Sequence, residues 1–218
     1  MTVHPSGFVI DASKPWQQTI SGRAFPLTAF SALDIDLYGD VAESLARVCR
    51  FGGHVPGNAY SVLQHSVVGA DAALEETGDA LLAAYFLAHD LHEHIIGDQT
   101  TPVVNWLAGI ELETFGSRDI VRTVLAIAKS KLDWAIWRAA GLPQPGKTYW
   151  ERVKEFDVRM LATERRHLLM QPPASWGDDV ENAKPIRLRG KLTAWPVAKA
   201  VEEFRIRLDR LCPNARRM

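Results

Sequence analysis

The chain has 218 residues, 47% of them apolar, with 25 basic and 26 acidic side chains and a formal charge of −1. That length and apolar fraction suit one domain, residues 1–218, with a sizeable core. The near-neutral balance, without a strongly basic segment, argues against stable nucleic-acid binding through many phosphates and leaves small anionic substrates open. Cys49 and Cys212 are the only cysteines. They exclude a disulfide framework and a Cys-rich zinc site, and they fit a reducing cytosol. The N-terminus lacks a signal-peptide pattern and no apolar run is long enough for a bilayer, so the expected setting is the cytoplasm with no membrane partner.

Residues 1–30 read as an extended segment. Phe8-Val9-Ile10 and Trp16 to Ile20 are short strand candidates, a possible hairpin, broken by Pro5, Pro15 and Pro26. Asp40-Val41-Ala42-Glu43 is an acidic variant of the capping box, with Leu45 and Val48 following at helical spacing, and this helix should end before Gly52-Gly53. His54 to Ala59 is a loop. Ser61-Val62-Leu63-Gln64 is a full capping box opening a helix that carries His65, Val68 and Ala72. Glu75 to Asp79 reads as a turn, and Asp79 can cap the next helix. After Asp98, Pro102 restarts the chain before the apolar Val103 to Leu107. Asp119 to Ala140 is a long amphipathic helix with a stripe of Val121, Val124, Leu125, Ala128, Leu132, Ile136 and Ala139. Trp150 to Leu169 is another, with Val153, Phe156, Met160, Leu161 and Leu168 on one face. Gln171 to Lys191 is loop, and Pro196 starts a last helix with Val197, Val201, Phe204, Leu208 and Leu211. The expected fold class is all-α with a small extended or hairpin N-terminus.

Gly141-Leu142-Pro143-Gln144-Pro145-Gly146-Lys147-Thr148 matches the phosphate-loop pattern letter for letter. That pattern works through backbone N–H groups between a buried strand and a helix. Pro143 and Pro145 remove two donors, and the preceding residues read as helix. The segment is therefore read as a helix–helix connection.

The stretch from Ala83 to Asp98 begins apolar and ends crowded with His89, Asp90, His92, Glu93, His94 and Asp98. On a helix, His89 and Asp90 point about 100° apart and can reach one ion, and Glu93 lies one turn beyond His89. Gly97 is a natural stop that places Asp98 just past the end. Imidazole plus carboxylate suits a divalent metal. A helix that simply reaches solvent at His92 is the competing reading. His65 alone would be a core histidine. Asp157 sits between Phe156 and Val158 beside an apolar stripe, where a carboxylate is costly unless paired or metal-bound; Arg152, Lys154 and Arg159 are its possible ion-pair partners. His92 and His94 face different ways, and His4 and His167 read as surface residues.

Taken in order, His65, His89-Asp90 and Asp157 resemble the H…HD…D signature of the HD-domain metal-dependent phosphohydrolases. Gln64-His65-Ser66-Val67-Val68 and the tail Gly97-Asp98-x-x-x-Pro102-Val103 resemble the bacterial 5′-deoxynucleotidase branch. Cys49-Arg50-Phe51-Gly52-Gly53-His54 resembles its phage relatives, which include deoxynucleoside triphosphatases. The likeness covers about residues 19 to 170. It implies an all-α helical bundle around a divalent ion (Mn, Co, Mg, Zn, Ni or Fe), often in a homodimer or higher homo-oligomer. It implies His65, His89, Asp90 and Asp157 as metal ligands, Glu93 as general acid or base, Asp98 holding the attacking water and Arg50 on phosphate. Phe51 stands where relatives place an aromatic against sugar or base, with core packing as its equal alternative; His54 either contacts nucleotide or ends its loop. The chain departs from the pattern at Val104, where a lysine is common, and residues 172–218 form an extension that resembles nothing in it. The expected activity is metal-dependent hydrolysis of a deoxynucleotide, mono- or triphosphate. A hydrolase of another phosphoester and a nucleotide-binding regulatory module without turnover are the alternatives.

Overall fold

The computed structural model describes residues 2–3, 9–10, 13–188 and 190–218, and it is an all-α bundle with two short hairpins at its N-terminal end. Strands β1 (Thr2–Val3) and β2 (Val9–Ile10) pair antiparallel; His4, Pro5 and Phe8 lie outside the described residues. β3 (Trp16–Gln18) pairs antiparallel with β4 (Ala24–Pro26), Trp16 opposite Pro26. Pro26 therefore closes an edge strand instead of breaking the hairpin, which its missing N–H allows at a sheet edge.

The first helix starts earlier than its capping signal suggests. Leu37–Val41 forms a wide turn that runs into α1 (Ala42–Leu45), and Asp36, not Asp40, caps it by accepting from the N–H groups of Gly39 and Asp40. The Asp40 carboxylate is drawn away by a stronger, charged donor, Arg23 Nη2 at 2.6 Å, and also accepts from the backbone N–H of Ser21 at 3.0 Å. A short 3₁₀ turn, Arg50–Gly53, follows.

α2 (Val62–Thr77) opens on Ser61, whose Oγ accepts from the Gln64 N–H at 3.2 Å. Only half of the expected box forms, because the Gln64 side chain turns outward to Thr193 O and Trp195 N–H and ties the C-terminal segment to α2. Glu75 to Thr77 belong to this helix, and the turn is confined to Gly78 and Asp79. Asp79 caps α3 (Ala80–Ala88) through the Leu82 N–H. A tight turn then leads to α4 (Glu93–Ile96), which ends at Gly97 with φ +73°.

α5 (Thr101–Phe115) and α6 (Ile120–Ala139) pack chiefly on each other. The buried Glu111 of α5 caps α6 by accepting from Ile120 and Val121 N–H. Only the C-terminal half of the α6 stripe, Leu132, Ile136 and Ala139, reaches the core; Val124 is 60% exposed, with Trp106 and Phe115 of α5 also outside. The stripe is amphipathic along its whole length, but the bundle covers only half of it. α7 (Lys147–Leu168) buries Val153, Phe156 and Met160, with Leu161 and Leu168 half-buried. The short α8 (Asp178–Glu181) interrupts what reads as continuous loop. α9 (Val197–Leu211) buries Val201, Phe204, Leu208 and Leu211 against α1, α2 and α3. Both cysteines are free thiols, and no helix among the described residues is long and apolar enough to cross a membrane.

The phosphate-loop letters fall between α6 and α7, with helix on both sides. Lys147 opens α7 with its side chain 89% exposed beside Glu151, so no strand-to-helix cradle exists there.

α2 and α3 cross at Gly69, where a Cβ would lie 2.0 Å from Phe86 Cε1. Phe86 is fully buried, and its ring meets those of His65 and His89 at centroid distances of 5.5 and 4.5 Å. Gly69→Ala gains about 1 kcal/mol of helix propensity. The overpacking it causes costs about 1–3 kcal/mol and displaces the ring that packs against both histidines. Lower stability in chemical denaturation, with weaker divalent-ion binding, is the expected result; unchanged values for both would show that the crossing has slack.

Candidate metal centre

The structure brings His65, His89, Asp90 and Asp157 together from α2, the end of α3 and α7, one ligand atom of each within 4.8 Å of all the others. His65 Nε2 and His89 Nε2 are 3.5 Å apart. Asp157 Oδ1 lies 3.3 Å from the first and 3.7 Å from the second. Asp90 Oδ2 lies 3.2 Å from His89 Nε2 and 3.8 Å from His65 Nε2.

The other ring nitrogens set the character of the cluster. His89 Nδ1 is 2.6 Å from Phe86 O, a carbonyl that can only accept, so Nδ1 carries the proton and Nε2 offers its lone pair. His65 Nδ1 is 2.7 Å from Glu164 Oε1, which is fully buried, and the same logic holds. Two imidazole lone pairs and two carboxylates converge, and Asp157 Oδ1 is buried without a hydrogen-bond partner. This is the donor set of a divalent cation, with Glu164 and Phe86 O as the partners that fix the rings. Burial works against protonating either ring; at His65 Arg50 adds to that. Nearby carboxylates outweigh these effects and raise both pKa values, so protons and a cation compete for the same nitrogens. Arg152 and Arg159 pair with Asp79 and Glu76, leaving Asp157 to the cluster.

The helix is not continuous through the His–Asp pair. His89 Nδ1 takes the Phe86 carbonyl that Asp90 N–H would otherwise use. The backbone tightens to three-residue spacing, with Leu91 N–H on Ala88 O and Glu93 N–H on Asp90 O. This winding brings Glu93 into line with Asp90 rather than His89. Burial, and then the charges of Asp90 and Asp98, push the Glu93 carboxyl up to about 9. Burial also raises Asp98, with Arg50 opposing and Asp90 adding. His92 is held by Asp133 at 2.8 Å, and His94 lies buried against Phe25, so neither reaches solvent as the competing reading of this stretch required. Asp90, His92 and Glu93 also offer three ligand atoms within 4.8 Å.

A cavity of about 500 Å³ opens over the cluster, lined by Arg50, Phe51, Asp90, Glu93, Asp98 and Asp157 and by Lys129 of α6 and Trp176 before α8. That volume lies within the range of small-molecule sites, about 300–1,000 Å³. Arg50 is mostly buried, its Nε 3.2 Å from Glu164 Oε2 and its Nη1 3.4 Å from Asp90 Oδ2. Phe51 has φ +59°, uncommon for a residue with a side chain, which sets its ring on the cavity wall. His54 is exposed beyond the 3₁₀ turn and does not line the cavity, and His167 is exposed on α7.

Glu164, Lys129 and Trp176 were not singled out from sequence. Glu164 had a signal, since it lies two helical turns after Asp157 on the same face. Lys129 and Trp176 had none, because each reaches the cavity only through packing of a distant segment.

Fold and cluster thus define an all-α protein with a buried histidine–aspartate site able to hold a divalent ion. No family model matches the chain. It is 32% identical over 159 residues to the uncharacterized protein YfdR of Escherichia coli strain K12, covering 73% of this chain and 75% of YfdR. It is 36% identical over 94 residues to the uncharacterized protein RCAP_rcc00048 of Rhodobacter capsulatus, covering 41% of this chain and 47% of that protein. The chain belongs to the family of YfdR.

Proposed function

We propose that this protein is an HD-type metal-dependent phosphohydrolase that cleaves a phosphoester of a deoxynucleotide. The observation that carries the reading is the convergence of two imidazole lone pairs and two carboxylates on one point beneath a cavity that also holds a guanidinium. A divalent ion held by His65, His89, Asp90 and Asp157 supplies Lewis acidity toward a phosphoryl oxygen and toward water.

The chain's own groups supply positioning and proton transfer. Arg50 presents a guanidinium whose fork matches phosphoryl oxygens, held in place by the ionised Glu164. Asp98 orients the attacking water and accepts its proton. Glu93, kept neutral by burial and by its acidic neighbours, gives a proton to the leaving oxygen. Lys129, which has no hydrogen bond or ion pair among the described residues, offers a second cation to the substrate's phosphate in a chain that has Val104 where a lysine would otherwise stand. A binding module without turnover needs neither the raised Glu93 nor Asp98 beside it. A homodimer or higher homo-oligomer is part of the proposal, supported by the apolar outer faces of α5 and α6.

The direct test incubates the protein with a panel of nucleotides and Mn²⁺, Co²⁺ or Mg²⁺ and measures free phosphate and polyphosphate. Phosphate from monophosphates or polyphosphate from triphosphates is expected, and release of neither from any nucleotide would overturn the reading.

Arg50 and Lys147 give a sharper contrast. Arg50→Ala should lower kcat and kcat/KM together, with Arg50→Lys recovering little because the fork is gone. It also leaves Glu164 buried with one partner fewer, so folding is checked by circular dichroism. Lys147→Ala should change neither constant appreciably. The reverse pattern would revive the phosphate loop.

A further inference from the structure

Residues beyond about 172 match nothing in the HD pattern, yet they place Trp176 in the wall of the cavity over the metal cluster. The ring is fixed from two sides. Arg165, two turns after Asp157 on α7, lies over it at 5.6 Å, and Glu181 binds both Arg165 Nη1 at 2.6 Å and the Trp176 backbone N–H at 3.1 Å. Trp176 remains 39% exposed although it is held from both sides. It meets Phe51 at a centroid distance of 6.2 Å and an interplanar angle of 56°, so the two rings form a corner and not a sandwich. Pro102, Leu161 and Val180 line the same cavity, together with the carboxylates, Arg50 and Lys129.

Resting on the phosphohydrolase reading above, we propose that Trp176 is a substrate-binding residue that stacks on the nucleobase and thereby selects nucleotides over phosphoesters lacking a base. A cavity lined by both a guanidinium and an aromatic corner takes a molecule that carries both a phosphate and a flat ring, with the phosphate at Arg50 and the ring at Trp176. A stacked base is recognised by its face, which all four bases possess, so Trp176 favours a base without choosing among them. The C-terminal segment is then part of the substrate site, held there by the Arg165–Glu181 pair.

The test compares wild type, Trp176→Ala and Trp176→Phe on deoxynucleoside monophosphates and on deoxyribose 5-phosphate, which carries the same phosphoester without a base. Trp176→Ala should lower kcat/KM for the nucleotides about tenfold or more through KM, leave deoxyribose 5-phosphate unchanged, and be largely rescued by Trp176→Phe. An equal loss on both substrates, or no loss on nucleotides, overturns the proposal. Calorimetric binding of the same two ligands separates this from failure of the phosphohydrolase reading. If wild type turns over no nucleotide but binds it more tightly than Trp176→Ala does, the stacking role stands and the hydrolytic one falls. If wild type binds neither ligand, both fall.

Discussion

Asp157→Ala should yield a folded protein that no longer retains a divalent ion and no longer turns over nucleotide. Asp157 Oδ1 stands within 3.7 Å of both imidazole Nε2 atoms and is buried without a hydrogen-bond partner among the described residues. Burial opposes its charge, but the adjoining imidazoles of His65 and His89 hold its pKa well below the usual carboxylate range, so it contributes a full negative charge. Removing it takes away one ligand of four. Loss of a supporting partner alone commonly costs 10–100-fold in metal affinity, and loss of a ligand should exceed about a hundredfold. The fold should survive, because α7 is anchored by Val153, Phe156 and Met160 and these are untouched. Elemental analysis after gel filtration reads the metal, and circular dichroism reads the fold. Full metal occupancy in this variant would mean that Asp157 is not a ligand and that the four-residue set is wrong.

Glu93→Ala should separate binding from turnover. It should keep metal and nucleotide yet react at least about a hundredfold more slowly, the usual size of a general acid–base contribution. Its protonation supplies a second readout. A group that must donate a proton is active below its pKa, so wild-type kcat should fall as pH rises through the Glu93 value. That value lies near 9 from burial and the charges of Asp90 and Asp98; a cation bound to Asp90 offsets one of those charges and lowers it. In Glu93→Ala the alkaline limb should vanish while residual turnover stays flat. Near-normal turnover would move proton transfer to Asp98 or to a histidine.

The amino-acid sequence by itself determined the helical class and most of the helices. Ser61, Asp79, Gly97 and Pro196 mark helix ends because capping chemistry is local. The set of four residues that could meet was legible only through its likeness to the H…HD…D signature; the residues alone showed that a carboxylate such as Asp157 beside an apolar stripe demands a partner wherever the helix lands. The identity of that partner is not a local property. Only the tertiary structure brought α7 against α2 and α3, with Gly69 admitting Phe86 and Phe86 packing against His65 and His89. Only packing placed Glu164 between His65 and Arg50, aimed Lys129 and Trp176 into the cavity, and left His54 outside it. Local signals failed where another donor outbid the backbone group: Arg23 took Asp40 and Trp195 N–H took Gln64, both from far along the chain, while the His89 ring, only three residues on, took the carbonyl that would have continued α3. Each is a competition for a hydrogen bond, and for Asp40 and Gln64 its outcome depends on which groups the fold brings within about 3 Å.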